Sequence, residues 1–182
     1  MHYELQIISL ISNLAKILEK IINIKILSFL NKHKILSHSQ FGFRKNIGTK
    51  VALASITNTL YENINNSLPT IVTYLDLAKA FDTIQYKILY NKLYYYELRG
   101  KILNLIKNYL SNRLQSVIIN NIKSNYSLVN MGLPQGTILG PLLFIIYIND
   151  IFNIIPEEVI ISYADDTAVI CSDKTWKLTE KK

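Results

Sequence analysis

Two aspartates stand side by side, Asp165-Asp166, between two short apolar runs, and no other feature limits the fold of this chain as much. Val159 to Ser162 reads as one strand and Thr167 to Cys171 as another, so the pair falls where a hairpin reverses. Adjacent carboxylates repel each other unless a cation neutralises them. Asp is also an ordinary turn residue, so the pair alone is compatible with a plain turn or with a metal site. The rest of the chain has to decide between the two.

The chain has 182 residues, 49% of them hydrophobic, which suits one domain with its own core better than two. Its formal net charge of +7 is scattered rather than gathered in a run. That balance fits a polyanionic partner such as nucleic acid, or a basic surface that only aids solubility; charge alone leaves both open. Cys171 is the only cysteine, which excludes an internal disulfide and a thiolate zinc site and reads as a small buried apolar residue. His2, His33 and His38 lack ligand spacing and suit surface or capping roles. The N-terminus has no basic region of a secretory signal, and the apolar run Leu142 to Ile148 is too short to span a bilayer. An intracellular protein with no membrane partner is expected.

Ser12-Asn13 can cap a helix running to about Lys32. Leu14, Ile17, Leu18, Ile21 and Ile22 form its apolar stripe, which reads as core-facing, with Lys16, Glu19 and Lys20 mostly outside. A loop from His33 to Lys50 leads to a second helix over Val51 to Asn63, and Asn65 to Pro69 breaks the chain. Thr70 to Leu75 reads as a buried strand ending at Asp76. A helix is expected from soon after Asp82 through Leu98, and another over Ile102 to Ser111. Ser116 to Asn120 and Tyr126 to Met131 can pair as a hairpin. Gly132 to Gly136 is a loop before a helix within Thr137 to Phe152, whose Pro141 is tolerated in a first turn. The mixture predicts an α+β fold, a few antiparallel strands with helices packed on one face.

If the first strand pairs beside the closing hairpin, Asp76, Asp165 and Asp166 converge on one edge of the sheet. Such a cluster suits two divalent cations, and Mg²⁺ prefers carboxylate oxygens together with substrate phosphates. Two metals about 3.5–4 Å apart can activate an attacking hydroxyl and stabilise a leaving pyrophosphate, the chemistry of nucleotidyl transfer.

At this point the residues match a family. Leu75 to Thr83 (Leu-Asp-Leu-Ala-Lys-Ala-Phe-Asp-Thr) resembles motif A of reverse transcriptases, Gly132 to Pro141 resembles motif B, and Tyr163-Ala164-Asp165-Asp166 resembles motif C. Ser39 to Lys45, Tyr109 to Gln115 and Tyr147 to Asp150 resemble segments of the non-LTR (jockey-like) retrotransposon branch. The resemblance implies a polymerase palm-type antiparallel sheet with partial fingers, and an RNA-directed DNA polymerase of a mobile element. It divides the chain into partial fingers at residues 1–69 and palm at residues 70–182, together one incomplete domain without a thumb.

The roles it implies follow by position. Asp76, Asp165 and Asp166 hold two Mg²⁺ ions, with Mn²⁺ as an alternative, and Leu77 offers its carbonyl to one of them. Phe81 lies under the incoming sugar and excludes a 2′-hydroxyl; ordinary packing is its other reading. Gln135 and Gly136 line the nucleotide pocket, and Ala164 lets the primer end approach. Arg44 either reaches a template or primer phosphate or ties its own loop down. Asp82 need not face the metals and fits a helix N-terminus equally well, while Asp150 can order the end of the motif B helix. RNA template, DNA primer and dNTPs are the implied partners, and the nucleus is a location the family allows.

The chain departs from the pattern at Gln6, where the family places an arginine that grips the triphosphate; a glutamine supplies neither the charge nor the fork. A finger lysine and the thumb are also expected to be missing. The alternative is therefore a truncated, inactive remnant with at most weak nucleic-acid binding. Nucleotide-dependent primer extension distinguishes the two.

Overall fold

The computed structural model describes residues 11–44, 47–120, 122–154 and 159–179. Gln6, and Lys45 of the finger segment, lie outside the described residues. The elements run α1 (Asn13–Lys32), α2 (Thr49–Asn65), β1 (Thr70–Leu75), α3 (Tyr86–Tyr95), α4 (Lys101–Leu110), β2 (Arg113–Gln115), β3 (Ile118–Ile119), β4 (Ile122–Lys123), β5 (Ser127–Val129), α5 (Leu139–Ile148), a 3₁₀ turn (Asn149–Asn153), β6 (Val159–Tyr163), β7 (Asp166–Ser172) and α6 (Trp176–Thr179). Among the described residues the ladders between these strands are antiparallel, with one isolated parallel bridge between Gln40 and Ser162, so the α+β expectation holds. No helix among the described residues is long and apolar enough to cross a membrane.

Two compact units interleave along the chain. One comprises Met1–Phe29 and Lys79–Tyr147, the other Leu30–Ala78 and Ile148–Lys182. The expected step from residue 69 to residue 70 falls inside the second unit.

The second unit is built on the sheet β1-β7-β6. β7 is central, and Thr167 to Cys171 are all buried because each face of that strand meets apolar side chains. Ile161 and Ile170 pack on one face with Ala52 and Ile56 of α2 and with Val72, while Ile160, Val169 and Cys171 pack on the other with Phe152. Cys171 is thus the small core residue expected. β1 differs from expectation: Thr70 to Val72 are half-buried and Thr73 to Leu75 exposed. Its β-branched run reads as interior, but β1 takes the sheet edge and leaves the centre to β7.

The first unit centres on α5. Leu139, Leu142, Leu143, Phe144, Ile145 and Ile146 are all buried, which is why this helix carries no polar stripe. Leu89 and Leu93 of α3, and Leu103, Ile106 and Leu110 of α4, bury at helical spacing. α3 is shorter than expected at both ends. The N–H groups of Asp82 and Thr83 donate to Lys79 O in a separate turn, and the helix begins only after Gln85. Glu97 takes φ 63°, and the N–H of Leu98 donates back to Leu93 O, so the helix closes in a left-handed cap before Leu98. The expected hairpin is also redistributed. Arg113–Gln115 pairs with Ser127–Val129, and a second short ladder, Ile118–Ile119 with Ile122–Lys123, lies between them in sequence.

α1 begins where expected, with Ser12 Oγ accepting the Ala15 N–H at 3.2 Å. Of its expected inner face only Ile22 turns inward. Leu14 is 80% exposed, and Ile17, Leu18 and Ile21 are exposed as well, while Ile22, Ile26 and Leu30 are buried. Glu19, expected outside, is only 4% exposed. The sequence offers two apolar rows on this helix, and the inward row is the one that shares a face with Glu19.

Candidate active site

The hairpin between β6 and β7 closes in two residues: Tyr163 pairs with Asp166, leaving Ala164 and Asp165 to turn. Ala164 takes φ 60°, a left-handed conformation that the strand twist favours at such a turn but an alanine adopts at some cost. What holds it is Gln40, which is completely buried. The Ala164 N–H donates to Gln40 Oε1 at 3.1 Å, and Gln40 Nε2 donates to Ala164 O at 3.4 Å. The same Oε1 accepts the Gly42 N–H at 2.8 Å. Backbone bonds from Phe41 N to Ser162 O (2.8 Å) and from Ser162 N to Ser39 O (2.9 Å) lay this segment along β6. Gly42 is required here: a Cβ would stand 2.1 Å from the Ala164 nitrogen. Ser162 and Thr167 join their buried hydroxyls across the two strands.

Arg44 belongs to the same segment. Its guanidinium donates to Ser37 O at 2.9 Å and Gln40 O at 3.2 Å, so of its two expected roles the loop-tying one has a geometry. Neither Gln40 nor Gly42 was singled out as a site residue from the sequence. The signal is present, because Gln40 and Gly42 sit inside the Ser39 to Lys45 match, but nothing local says that an amide 124 residues away would grip a turn; only folding reveals that contact.

Asp76 follows Leu75, which pairs with Thr167, the neighbour of Asp166. The register therefore carries Asp76 to the end of the sheet where the hairpin turns. Asp76 and Asp166 are exposed and Asp165 half-exposed, and Leu77 is exposed beside Asp76. Among the described residues, no three His, Cys, Asp or Glu side chains are gathered as a metal-binding cluster. The register sets the strand before Asp76 beside the strand that follows the hairpin, without a three-carboxylate side-chain group. The donor chemistry still fits hard divalent cations, since accessible carboxylate oxygens at one sheet end are what Mg²⁺ takes.

The remaining candidates lie in the first unit. The Phe81 ring stacks on Phe144, centroids 4.6 Å apart and planes 16° from parallel, and stays half-buried. Leu133 N donates to Phe81 O at 2.8 Å and Gly132 N to Ile84 O at 2.9 Å, which sews motif A to the motif B loop. Gln135 Nε2 donates to Asp82 Oδ1 at 3.2 Å. Asp82 thus positions Gln135, a role the sequence reading did not assign it, and α3 starts too late for Asp82 to cap it. Gly136 takes φ 83°, the left-handed region in which a side chain is strained. Asp150 falls in the 3₁₀ turn after α5.

Asp82, Arg113, Gln115 and Gln135, with residues 127–134, line a cavity of about 370 Å³. Arg113 lines this cavity, and its place in a matched segment of the sequence attaches no role to it. Tyr86 Oη donates to Gly132 O at 2.9 Å, and burial raises its pKa above the usual phenol value while the Arg113 charge works against that rise. The cavity offers a cation, a carboxylate and three amides, those of Gln115, Asn130 and Gln135, a set able to hold a polar ligand by charge and hydrogen bonds.

The chain is similar in sequence to known proteins. The chain is 31% identical over 175 residues to the RNA-directed DNA polymerase from mobile element jockey of Drosophila melanogaster, covering 92% of this chain and 19% of that protein. It is 32% identical to the Drosophila funebris counterpart (89% and 18% covered) and 27% identical to the probable RNA-directed DNA polymerase from transposon BS of Drosophila melanogaster (91% and 19%). The chain thus spans about a fifth of the length of these relatives. A chain of the solved partial Cas6-RT-Cas1--Cas2 complex matches 72% of this chain and 22% of its own at 26% identity, with a TM-score of 0.35. The family model "Reverse transcriptase (RNA-dependent DNA polymerase)" matches residues 4–180, and with that match the chain belongs to the reverse transcriptase family.

Proposed function

We propose that this chain carries the nucleotidyl-transfer site of an RNA-directed DNA polymerase of a mobile element, extending a primer 3′-hydroxyl with dNTPs on an RNA template. One observation carries the reading: in a chain of this family, the β1–β7 register brings the strand that ends at Asp76 beside the hairpin that bears Asp165 and Asp166. Asp76 and Asp165 are the principal ligands for Mg²⁺, with Mn²⁺ as an alternative, and Asp166 and the Leu77 carbonyl assist. Two such ions supply activation of the 3′-hydroxyl and charge neutralisation of the pyrophosphate.

The chain's own residues do the selecting. Phe81 excludes a ribose 2′-hydroxyl by bulk, and its stack on Phe144 keeps the ring from stepping aside. Gln135, steadied by Asp82, and Gly136 contact the nucleotide. Ala164 admits the primer end because its side chain is a single methyl. Arg44 ties down the loop that carries Gln40, through its bonds to Ser37 O and Gln40 O, and a template or primer phosphate is the alternative contact for it.

Primer extension on an RNA template, by the protein that carries this chain, tests the proposal. Extension with dNTPs and Mg²⁺ that stops on chelation is expected. A folded protein that binds primer-template and does not extend it overturns the catalytic reading in favour of a remnant. Extension with rNTPs but not dNTPs overturns the role of Phe81.

A further inference from the structure

A side chain that the catalytic reading does not use fixes the loop at residues 132–140. Glu19, on α1, is almost wholly buried, and its Oε2 accepts the N–H of Ile138 at 2.7 Å and of Leu139 at 3.2 Å. These amides open α5 and would otherwise lack partners. A buried carboxylate is costly unless its charge is met. Two charge-assisted hydrogen bonds at the positive end of a helix meet it. Thr137 adds a second lock between loop and helix: its Oγ1 donates to Pro134 O at 2.7 Å and accepts the Gly140 N–H at 3.1 Å. The buried Tyr109 hydroxyl belongs to the same cluster, with Glu19 and Thr137 among the groups that act on it. The stretch held between these locks is Pro134 to Leu139, which presents Gln135 and Gly136.

We infer that Glu19 is a positioning residue for the incoming nucleotide, setting from α1 the conformation in which Gln135 and Gly136 meet the dNTP. The inference rests on the nucleotide-contact reading of those two residues. A single hydrogen-bond acceptor would satisfy the helix end, and glutamine provides one. The carboxylate accepts both amides on one oxygen and draws on the helix dipole, which stiffens the loop more than a neutral cap does. Glu19 bonds to Ile138 and Leu139 and acts through the loop, so a loosened loop is expected to weaken nucleotide binding more than the chemical step.

The test compares wild-type protein with Glu19→Gln, Glu19→Ala, Gln135→Ala and, as a folding control, the core variant Leu103→Ala. Primer extension gives KM for dNTP and kcat, and amide hydrogen exchange reports on residues 132–140. Glu19→Gln is expected to raise KM about threefold and Glu19→Ala about tenfold, each with kcat within about twofold. Exchange at Ile138 and Leu139 rises in the same order, and Leu103→Ala changes neither KM nor that local exchange. Glu19→Gln retains an acceptor and keeps the test alive if Glu19→Ala does not fold. Unchanged exchange in both Glu19 variants overturns the inference. So does faster exchange with unchanged KM, while Gln135→Ala still raises KM; the nucleotide reading then survives. If Gln135→Ala itself leaves KM unchanged, the nucleotide reading falls, and the inference with it.

Discussion

Each unit has a turn that carries candidate site residues, and each turn is held by one buried polar side chain from far away in sequence. Gln40 grips the Ala164 turn of the hairpin, and Glu19 grips the start of α5 after the Gly136 turn. One holder is a neutral amide and the other a carboxylate, and the local electrostatics explain the choice. The hairpin turn already carries Asp165 and Asp166, so a carboxylate there would add a third negative charge. It also presents both an N–H and a C=O, which an amide satisfies together. The start of α5 presents only N–H groups at the positive end of a helix, where a carboxylate is the stronger cap. The two holders solve the same problem, a strained or orphaned backbone next to functional residues, under opposite local fields.

The comparison can be broken in four places. The largest effect separates the carboxylates of the two units. Asp165→Asn is expected to lower kcat for primer extension about 10³-fold or more, while Asp82→Asn, which keeps the acceptor for Gln135, stays within about tenfold. Equal losses would mean that the division into a metal-binding unit and a positioning unit is wrong. Next, Gln40→Glu exchanges the hairpin's amide for the other unit's carboxylate. It removes the donor to Ala164 O and adds a like charge, costing about 1–3 kcal/mol in urea unfolding at neutral pH. Burial and the neighbouring aspartates raise the pKa of the new carboxyl in the folded state. The penalty is therefore full above that raised pKa and shrinks as pH falls through it. A variant as stable as wild type at pH 7 would remove the electrostatic reason for the amide.

Phe81→Ala comes third. Loss of the ring braced by Phe144 is expected to reduce discrimination between dNTP and rNTP about tenfold or more, read as a ratio of kcat/KM values. Unchanged discrimination would leave Phe81 as a packing residue. The smallest effect is at Arg44. Arg44→Lys cannot reproduce both contacts to Ser37 O and Gln40 O, and should cost about 0.5–1.5 kcal/mol of stability. Because those acceptors are uncharged carbonyls, primer-template affinity should keep its salt dependence. In Arg44→Gln, which removes the charge, a weakened salt slope would instead establish the phosphate contact.

Much of the framework that carries the candidate site residues is legible in the sequence because its signals are local. The alternating runs Val159 to Ser162 and Thr167 to Cys171 demanded a hairpin, and β6 and β7 pair around Asp165 as expected. Thr70 to Leu75 read as a strand and pairs beside it. Pro141 sits in the first turn of α5, where its missing N–H does no harm. What could not be read depends on partners distant in sequence. α1 has two apolar rows, and periodicity alone does not say which one finds a core. Glu19 looked like a solvent residue because its partners, Ile138 and Leu139, are backbone amides and leave no mark on a side-chain pattern. The boundaries of α3 moved because the turn at Lys79 and the left-handed Glu97 took over its ends.

The sequence by itself determined the order of the three motifs, the hairpin that bears the aspartates and membership of the reverse transcriptase family. These follow from residue identity and short-range periodicity. The tertiary structure alone decided that β1 would take the sheet edge, that Gln40 and Gly42 would close on Ala164, and that Glu19 would turn inward to α5. Each of those outcomes is a match between a buried polar group or strand edge and a backbone partner elsewhere in the chain. Local patterning encodes which face of an element is apolar; only the packed chain determines what that face, and any polar group on it, will meet.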